Sequence, residues 1–136
     1  MTEYVVRADT TKPADLTGTA FAHLDVRWLV GAERNGSELT GVGQTVYPKN
    51  GGTHEAHSHP HAEETVIVMS GHGRHRIGDR RYDIGPGDIV FVPRGVVHSA
   101  QAVGPQDMVI LWVLGGAGSL EAAGYEPAED TAIKDS

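Results

Sequence analysis

Short apolar runs broken by glycine and proline, with no long amphipathic period, set the limits on what this chain can fold into. Eighteen glycines and seven prolines punctuate 136 residues, a spacing that suits many short strands far better than helices. The runs YVVR (4–7), DVRWLV (25–30), LTGVGQTVY (39–47), ETVIVMS (64–70), RHRI (74–77), RYDI (81–84), DIVFV (88–92), VVHSAQA (96–102) and DMVILWVL (107–114) all read as strands. Gly78-Asp79, Gly85-Pro86-Gly87 and Pro93-Arg94-Gly95 supply turns between them. The pattern predicts an all-β domain, a small antiparallel β-barrel or jelly roll. One short helix is predicted at 119–123, with Ser119 as N-cap and Gly124 just past its end. The final stretch EPAEDTAIKDS is polar and is expected to fray. The length suits one core, organised as an N-terminal arm (1–20), a barrel (21–118), and a short helix with a polar tail (119–136).

Charge and composition remove several function classes. Eleven basic against eighteen acidic residues leave a net charge of −7, so the phosphate backbone of a nucleic acid would be repelled. The one basic cluster, RHRIGDRR at 74–81, is read as the solvated edges of a hairpin. No apolar run approaches the roughly 20 residues that cross a bilayer, and no secretory leader is visible, so a cytoplasmic protein with no membrane or nucleic-acid partner is expected. Cysteine is absent. Any bound metal must therefore be held by His, Asp, Glu or water.

Half of the eight histidines crowd into HEAHSHPHAEE at 54–64. In an extended strand His57 and His59 project from one face. Pro60 then favours a bend over 60–63, and only such a break can turn Glu64, of opposite parity, back toward them. Two imidazoles and a carboxylate around one point suit a divalent first-row transition metal, Fe, Mn, Ni, Co or Zn, better than Mg or Ca, which prefer oxygen shells. His98, after the Pro-Arg-Gly turn, is the other histidine placed to join them. His61 continues the odd parity and is either an exposed turn residue or a group at the cavity mouth, as an extra ligand or in a catalytic role. His54 is read as a surface residue. His23, His72 and His75 have no placement that demands a function.

These spacings resemble the cupin superfamily. Its first motif, G-x5-H-x-H-x(3,4)-E-x6-G, is met by Gly51, His57, His59, Glu64 and Gly71. Its second, G-x5-P-x-G-x2-H-x3-N, is met by Gly87, Pro93, Gly95 and His98, with Ala102 where the motif ends in Asn. Glu63 would suit the shorter form of the first motif, but Glu64 keeps the six-residue spacing to Gly71. The resemblance implies metal ligands His57, His59, Glu64 and His98 inside a β-barrel. It also implies a homodimer, as small single-domain cupins often pair by exchanging N-terminal strands such as the one expected over EYVVRAD.

What the resemblance leaves open is the reaction. The first expectation is a metal-dependent oxygenase acting on a chelating small molecule such as an enolisable diketone, a catechol or a hydroxy-acid, with Glu64 bound to the metal or swinging off to take a proton. The second is a redox-neutral enzyme (polyketide cyclase, isomerase, decarboxylase or lyase) using the metal as Lewis acid. The third is a non-catalytic small-molecule-binding protein. Gln44, Tyr47 and Trp112 are the residues expected near the substrate, although Trp112 also suits plain core packing. A single copy of each motif weighs against a two-domain oxalate-degrading enzyme, and the intact ligand set weighs against a metal-free sugar epimerase.

Overall fold

The computed structural model describes residues 2–129 and the backbone of residues 134 and 135. In chain order the elements are β1 (Asp25–Val30), α1 (Ala32–Asn35), β2 (Thr40–Tyr47), β3 (His57–Ser58), β4 (Glu63–Ser70), β5 (Gly73–Ile77), β6 (Arg80–Ile84), β7 (Ile89–Val92), β8 (His98–Ala102), β9 (Met108–Gly115), α2 (Leu120–Ala123), β10 (Glu126–Pro127) and β11 (Lys134–Asp135). They form two sheets, one ordered β1-β2-β9-β4-β7 and the other β10-β3-β8-β5-β6-β11. All pairings are antiparallel except β11 with β6. The all-β jelly-roll reading of the sequence describes this architecture.

Period-two alternation explains the layering. Along β2, Gly41, Gly43, Thr45 and Tyr47 are buried while the residues between them are half-buried. Along β4 and β7, Val66, Val68, Val90 and Val92 turn inward, and they meet Met108 and Ile110 of β9 and Ala100 and Ala102 of β8 in one apolar cluster. Ten glycines adopt positive φ. At Gly71 (φ +76) a side chain is also sterically impossible, because a Cβ would lie 2.2 Å from the Asp107 carbonyl oxygen.

Three expectations need correction. Residues 4–7 form no strand, and Tyr4 and Val5 are 91% and 78% exposed. The chain there is instead pinned by single contacts: Arg34 Nε to Glu3, Asn35 Nδ2 to the Glu3 carbonyl, and Arg27 Nη1 to the Ala8 carbonyl. On the neighbouring edge of β1 it is Ala14, further along the arm, whose N–H reaches Val26 O. Helix α1 has no counterpart in the sequence reading, since four residues are too few to show a period. The tail expected to fray contains β10, paired to β3 through Glu126–Ser58 and Pro127–His57, and β11, paired to β6. Residues 130–133 and 136 lie outside the described residues. By contrast α2 is as expected: Ser119 Oγ accepts from Ala122 N at 3.0 Å, and Gly124 follows at φ +79.

Candidate metal centre

Strand pairing brings the histidines together. His57 on β3 lies directly across from His98 on β8, and their rings are 4.5 Å apart. His59 follows β3, where its carbonyl accepts from Gly95 N at 2.9 Å, tying the His-x-His segment to the Pro-Arg-Gly turn. A ring nitrogen from each of His57, His59 and His98 lies within 4.8 Å of the others, and all three residues are buried. Glu64 arrives from the opposite sheet, at the start of β4, on the same face as Val66 and Val68. Its carboxylate oxygens stand 3.6 Å from His59 Nε2 and 3.5 Å from His98 Nε2.

The hydrogen bonds decide which nitrogen of each ring is free. His57 Nδ1 bonds the Glu55 carbonyl at 3.0 Å, His59 Nδ1 the Gly124 carbonyl at 2.8 Å, and His98 Nδ1 the Val96 carbonyl at 3.0 Å. A carbonyl only accepts, so each Nδ1 carries the proton and each neutral ring keeps its Nε2 lone pair. This is the arrangement that orients metal-ligating histidines. His98 Nε2 is buried with no hydrogen-bond partner, a costly state for a polar atom that a metal would relieve. Separations of 3.5–3.6 Å to Glu64 are too long for good hydrogen bonds. They match the spacing of two donors at tetrahedral positions around one ion, about 3.4 Å for bonds near 2.1 Å. The residues present fit a divalent transition ion.

Burial fixes the protonation states. It pushes His57 down to about 2, reinforced by the neighbouring His98 and His54. It brings His98 to about 4 and also lowers His59, against the pull of the Gly124 carbonyl. Burial lifts the Glu64 carboxyl to about 7. The 12% of its side chain that stays accessible faces the cavity, so it gains little hydration from bulk water. Near neutrality the rings are unprotonated and ready to bind, and Glu64 is poised to hold or release one proton.

The centre opens onto a cavity of about 160 Å³. Aromatic and aliphatic side chains dominate its walls, among them Phe21, Val26, Trp28, Ile110, Trp112, Leu114, Leu120 and Tyr125, and among the described residues neither lysine nor arginine reaches it. Of the expected pocket residues, Tyr47 and Trp112 line it. Tyr47 is 3% exposed, and burial together with the Glu64 charge raises its phenol. Gln44 does not line it, because β2 alternation turns that side chain to the outer face and presents Thr45 instead, whose Oγ1 accepts from Trp112 Nε1 at 2.9 Å. His61 is exposed in the turn after Pro60 and is absent from the lining. The bend that frees Glu64 carries His61 outward.

Two further histidines were missed. His54, expected at the surface, lines the cavity 4.9 Å from the His57 ring, and nothing in the irregular segment before β3 marks it. His75 is 1% exposed and stacks 6.2 Å from His98. Its signal was present: alternation in Gly73-Arg74-His75-Arg76-Ile77 sets His75 opposite the two arginines. Phe21 and Tyr125 also line the cavity from segments that carry no motif.

Comparison with known proteins agrees with this geometry. No curated protein matches the chain in sequence. Among solved structures it is similar to a double-stranded β-helix protein from Klebsiella pneumoniae, with TM-score 0.72 and 22% identity over 94% of this chain and 99% of that one. It is similar to the polyketide cyclase RemF from Streptomyces resistomycificus, with TM-score 0.75 and 19% identity over 96% and 88%. It is also similar to a predicted oxalate decarboxylase from Thermotoga maritima, with TM-score 0.70 and 22% identity over 82% and 98%. Identities this low speak for the fold alone. The cupin domain profile matches residues 43–114, more than half of the chain, and the chain belongs to the cupin family.

Proposed function

We propose that this protein is a metal-dependent enzyme for an apolar, enolisable carbonyl substrate that chelates through oxygen, with His57, His59, His98 and Glu64 holding the metal. The observation that carries this reading is the pairing of three free imidazole nitrogens and one desolvated carboxylate with an aromatic-walled cavity. Among the described residues a small dicarboxylate would find no cationic side chain there, which disfavours oxalate-type chemistry despite the likeness to a predicted oxalate decarboxylase.

The metal, when bound, supplies Lewis acidity that makes a C–H next to a coordinated carbonyl more acidic. Glu64, swung off the metal, takes that proton on a carboxylate oxygen, leaving the electron pair on the substrate as an enolate. Tyr47, Trp28 and Trp112 pack against the apolar body and exclude water. In an oxygenase, the first of the reactions expected from the sequence, dioxygen then adds to the enolate and a carbon–carbon bond breaks, one oxygen atom going to each of a carboxylic acid and a carbonyl product while Glu64 returns the proton. In the redox-neutral alternative the same enolate closes a ring and Glu64 returns the proton. The aromatic walls and the likeness to a polyketide cyclase favour this second course enough to test both.

The experiment is metal analysis of protein purified without chelator or nickel resin, followed by oxygen-electrode and product assays with an aromatic β-diketone. Near-stoichiometric metal that falls at least tenfold in His98→Ala is expected. Oxygen uptake would establish the oxygenase. Turnover without uptake would establish the redox-neutral course. No metal after reconstitution in either protein would sink the whole reading.

A further inference from the structure

The profile match ends at residue 114, but the contacts to the candidate ligands continue beyond it. Past β9 the chain turns, caps α2 with Ser119, buries Ala123 completely and runs back along β3. There β10 pairs with the strand bearing His57, and Ala128 N donates to Ala56 O at 2.9 Å. Three contacts reach the site itself. His59 Nδ1 donates to Gly124 O at 2.8 Å, across 65 residues of sequence. The Tyr125 ring stacks on His57 at 4.6 Å and 25°. The Tyr125 hydroxyl donates to the Glu55 carboxylate, whose own backbone carbonyl accepts from His57 Nδ1.

His59 depends on this segment in a way its partners do not. His57 and His98 each find an acceptor two residues earlier in their own loops, at Glu55 and Val96. The acceptor of His59 comes from the far end of the chain. Strand β3 has two residues, meets β8 at one pair, and beyond it His59 is tied to the Pro-Arg-Gly turn by the single bond from Gly95 N, which holds its backbone but not its ring. We propose that residues 119–128 form a positioning strap, in which Gly124 O fixes the His59 tautomer and Tyr125 clamps the His57 ring, so that metal affinity depends on the strap being docked. This rests on the reading of His57, His59 and His98 as ligands. It adds that the family core alone makes an incomplete site.

Gly124 offers the means to undock it. Its φ is +79, and a Cβ there would sit 2.7 and 2.8 Å from Pro60 Cγ and Cδ, next to His59. Gly124→Ala therefore strains the backbone and pushes the strap off at the point that matters. The full-length wild type, Gly124→Ala, Tyr125→Phe and Tyr125→Ala are compared by zinc titration against a competing chelator. In parallel, nitrogen-15 histidine spectra of the metal-free proteins report the His59 tautomer. Loss of a group that orients a ligand typically costs 10–100-fold in affinity, and that range is expected for Gly124→Ala, together with a mixed His59 tautomer. Tyr125→Ala is expected to lose about tenfold, and Tyr125→Phe, which keeps the stacking ring, under about threefold.

Wild-type affinity and a wild-type tautomer in both Gly124→Ala and Tyr125→Ala would overturn the strap. If Gly124→Ala loses its near-ultraviolet circular dichroism, Tyr125→Ala decides alone. If the wild type binds no zinc, the ligand reading falls, and the metal-free tautomer spectra still decide whether the strap holds His59.

Discussion

The two sheets divide the labour of this molecule. The sheet ordered β1-β2-β9-β4-β7 is built from long ladders, with eight consecutive pairs between β2 and β9. The sheet ordered β10-β3-β8-β5-β6-β11 contains two-residue strands and meets itself at β3–β8 through a single pair, His57 with His98. The first sheet buries valine, methionine and leucine and lends the site one carboxylate. The second buries His57, His75 and His98. One is a scaffold held by apolar area; the other adds Ile84, Ala100 and Ala102 to the shared core but also buries three histidines, and its stability should depend on their staying neutral or binding something.

Acid should break that contrast at its steepest. His54, His75 and His98 are held at about 4 and His57 at about 2, in each case chiefly by burial. A histidine depressed from its usual 6.5 contributes stability that is complete above about 6.5 and is lost as pH falls toward its folded value. Each such group adds a slope of up to about 1.4 kcal/mol per pH unit. Glu64, raised to about 7, acts oppositely: its burial costs nothing below about 4.5 and progressively more up to 7. One carboxyl against four strongly depressed histidines leaves a net loss on acidification. With chelator present, the urea midpoint should fall steeply from pH 6.5 to 5. Saturating zinc should move that edge to lower pH, since protons must then displace the ion. A midpoint flat across this range would mean that the histidines are solvated and the second sheet is not the weak one.

A core truncation tests the other side of the comparison. Met108 on β9 is fully buried, away from the cavity lining. Met108→Ala should cost about 2–5 kcal/mol in chemical denaturation, at pH 7 and pH 6 alike, and leave zinc affinity within about twofold, because Met108 lies outside the cavity lining. A change in affinity comparable to that of a ligand substitution would show that the sheets do not act separately.

The same division explains what could be read from the chain. The scaffold strands announced themselves as short apolar runs between glycine and proline turns, to within a residue or two at each end. The meeting of His57, His59, His98 and Glu64 was legible through spacing, since these residues stand at the positions of the two motifs that resemble the cupin family's. Gln44 was misplaced by one residue of parity, which inverts a strand's faces. Of the two readings of His61, the exposed turn residue is the one the structure has, because a bend erases parity. Phe21, His54, Gly124 and Tyr125 were invisible for a different reason. Their roles come from contacts between irregular segments distant in sequence, such as Tyr125 against His57 and Phe21 against His54, and no local period encodes such a meeting.

The smallest expected effect lies where the scaffold touches the cavity with a polar bond. Gly43 leaves the space in which Trp112 sits: a Cβ there would fall 2.0 Å from the indole Cζ2. From that seat Trp112 Nε1 donates to Thr45 Oγ1 at 2.9 Å while its ring meets Trp28 edge-on at 4.8 Å. Trp112→Phe keeps most of the apolar contact and removes the donor, and Thr45→Val removes the acceptor. Each alone should cost about 1 kcal/mol, and a double-mutant cycle should return a coupling of about 0.5–1.5 kcal/mol. Neither change should alter the pH dependence, because neither group titrates in this range. A coupling near zero would mean that cavity water satisfies both groups once they are parted, and that packing alone holds Trp112 on the scaffold wall. A pH-dependent coupling would be the more damaging result, since it would tie the scaffold to the titrating side of the site and erase the division between the two sheets.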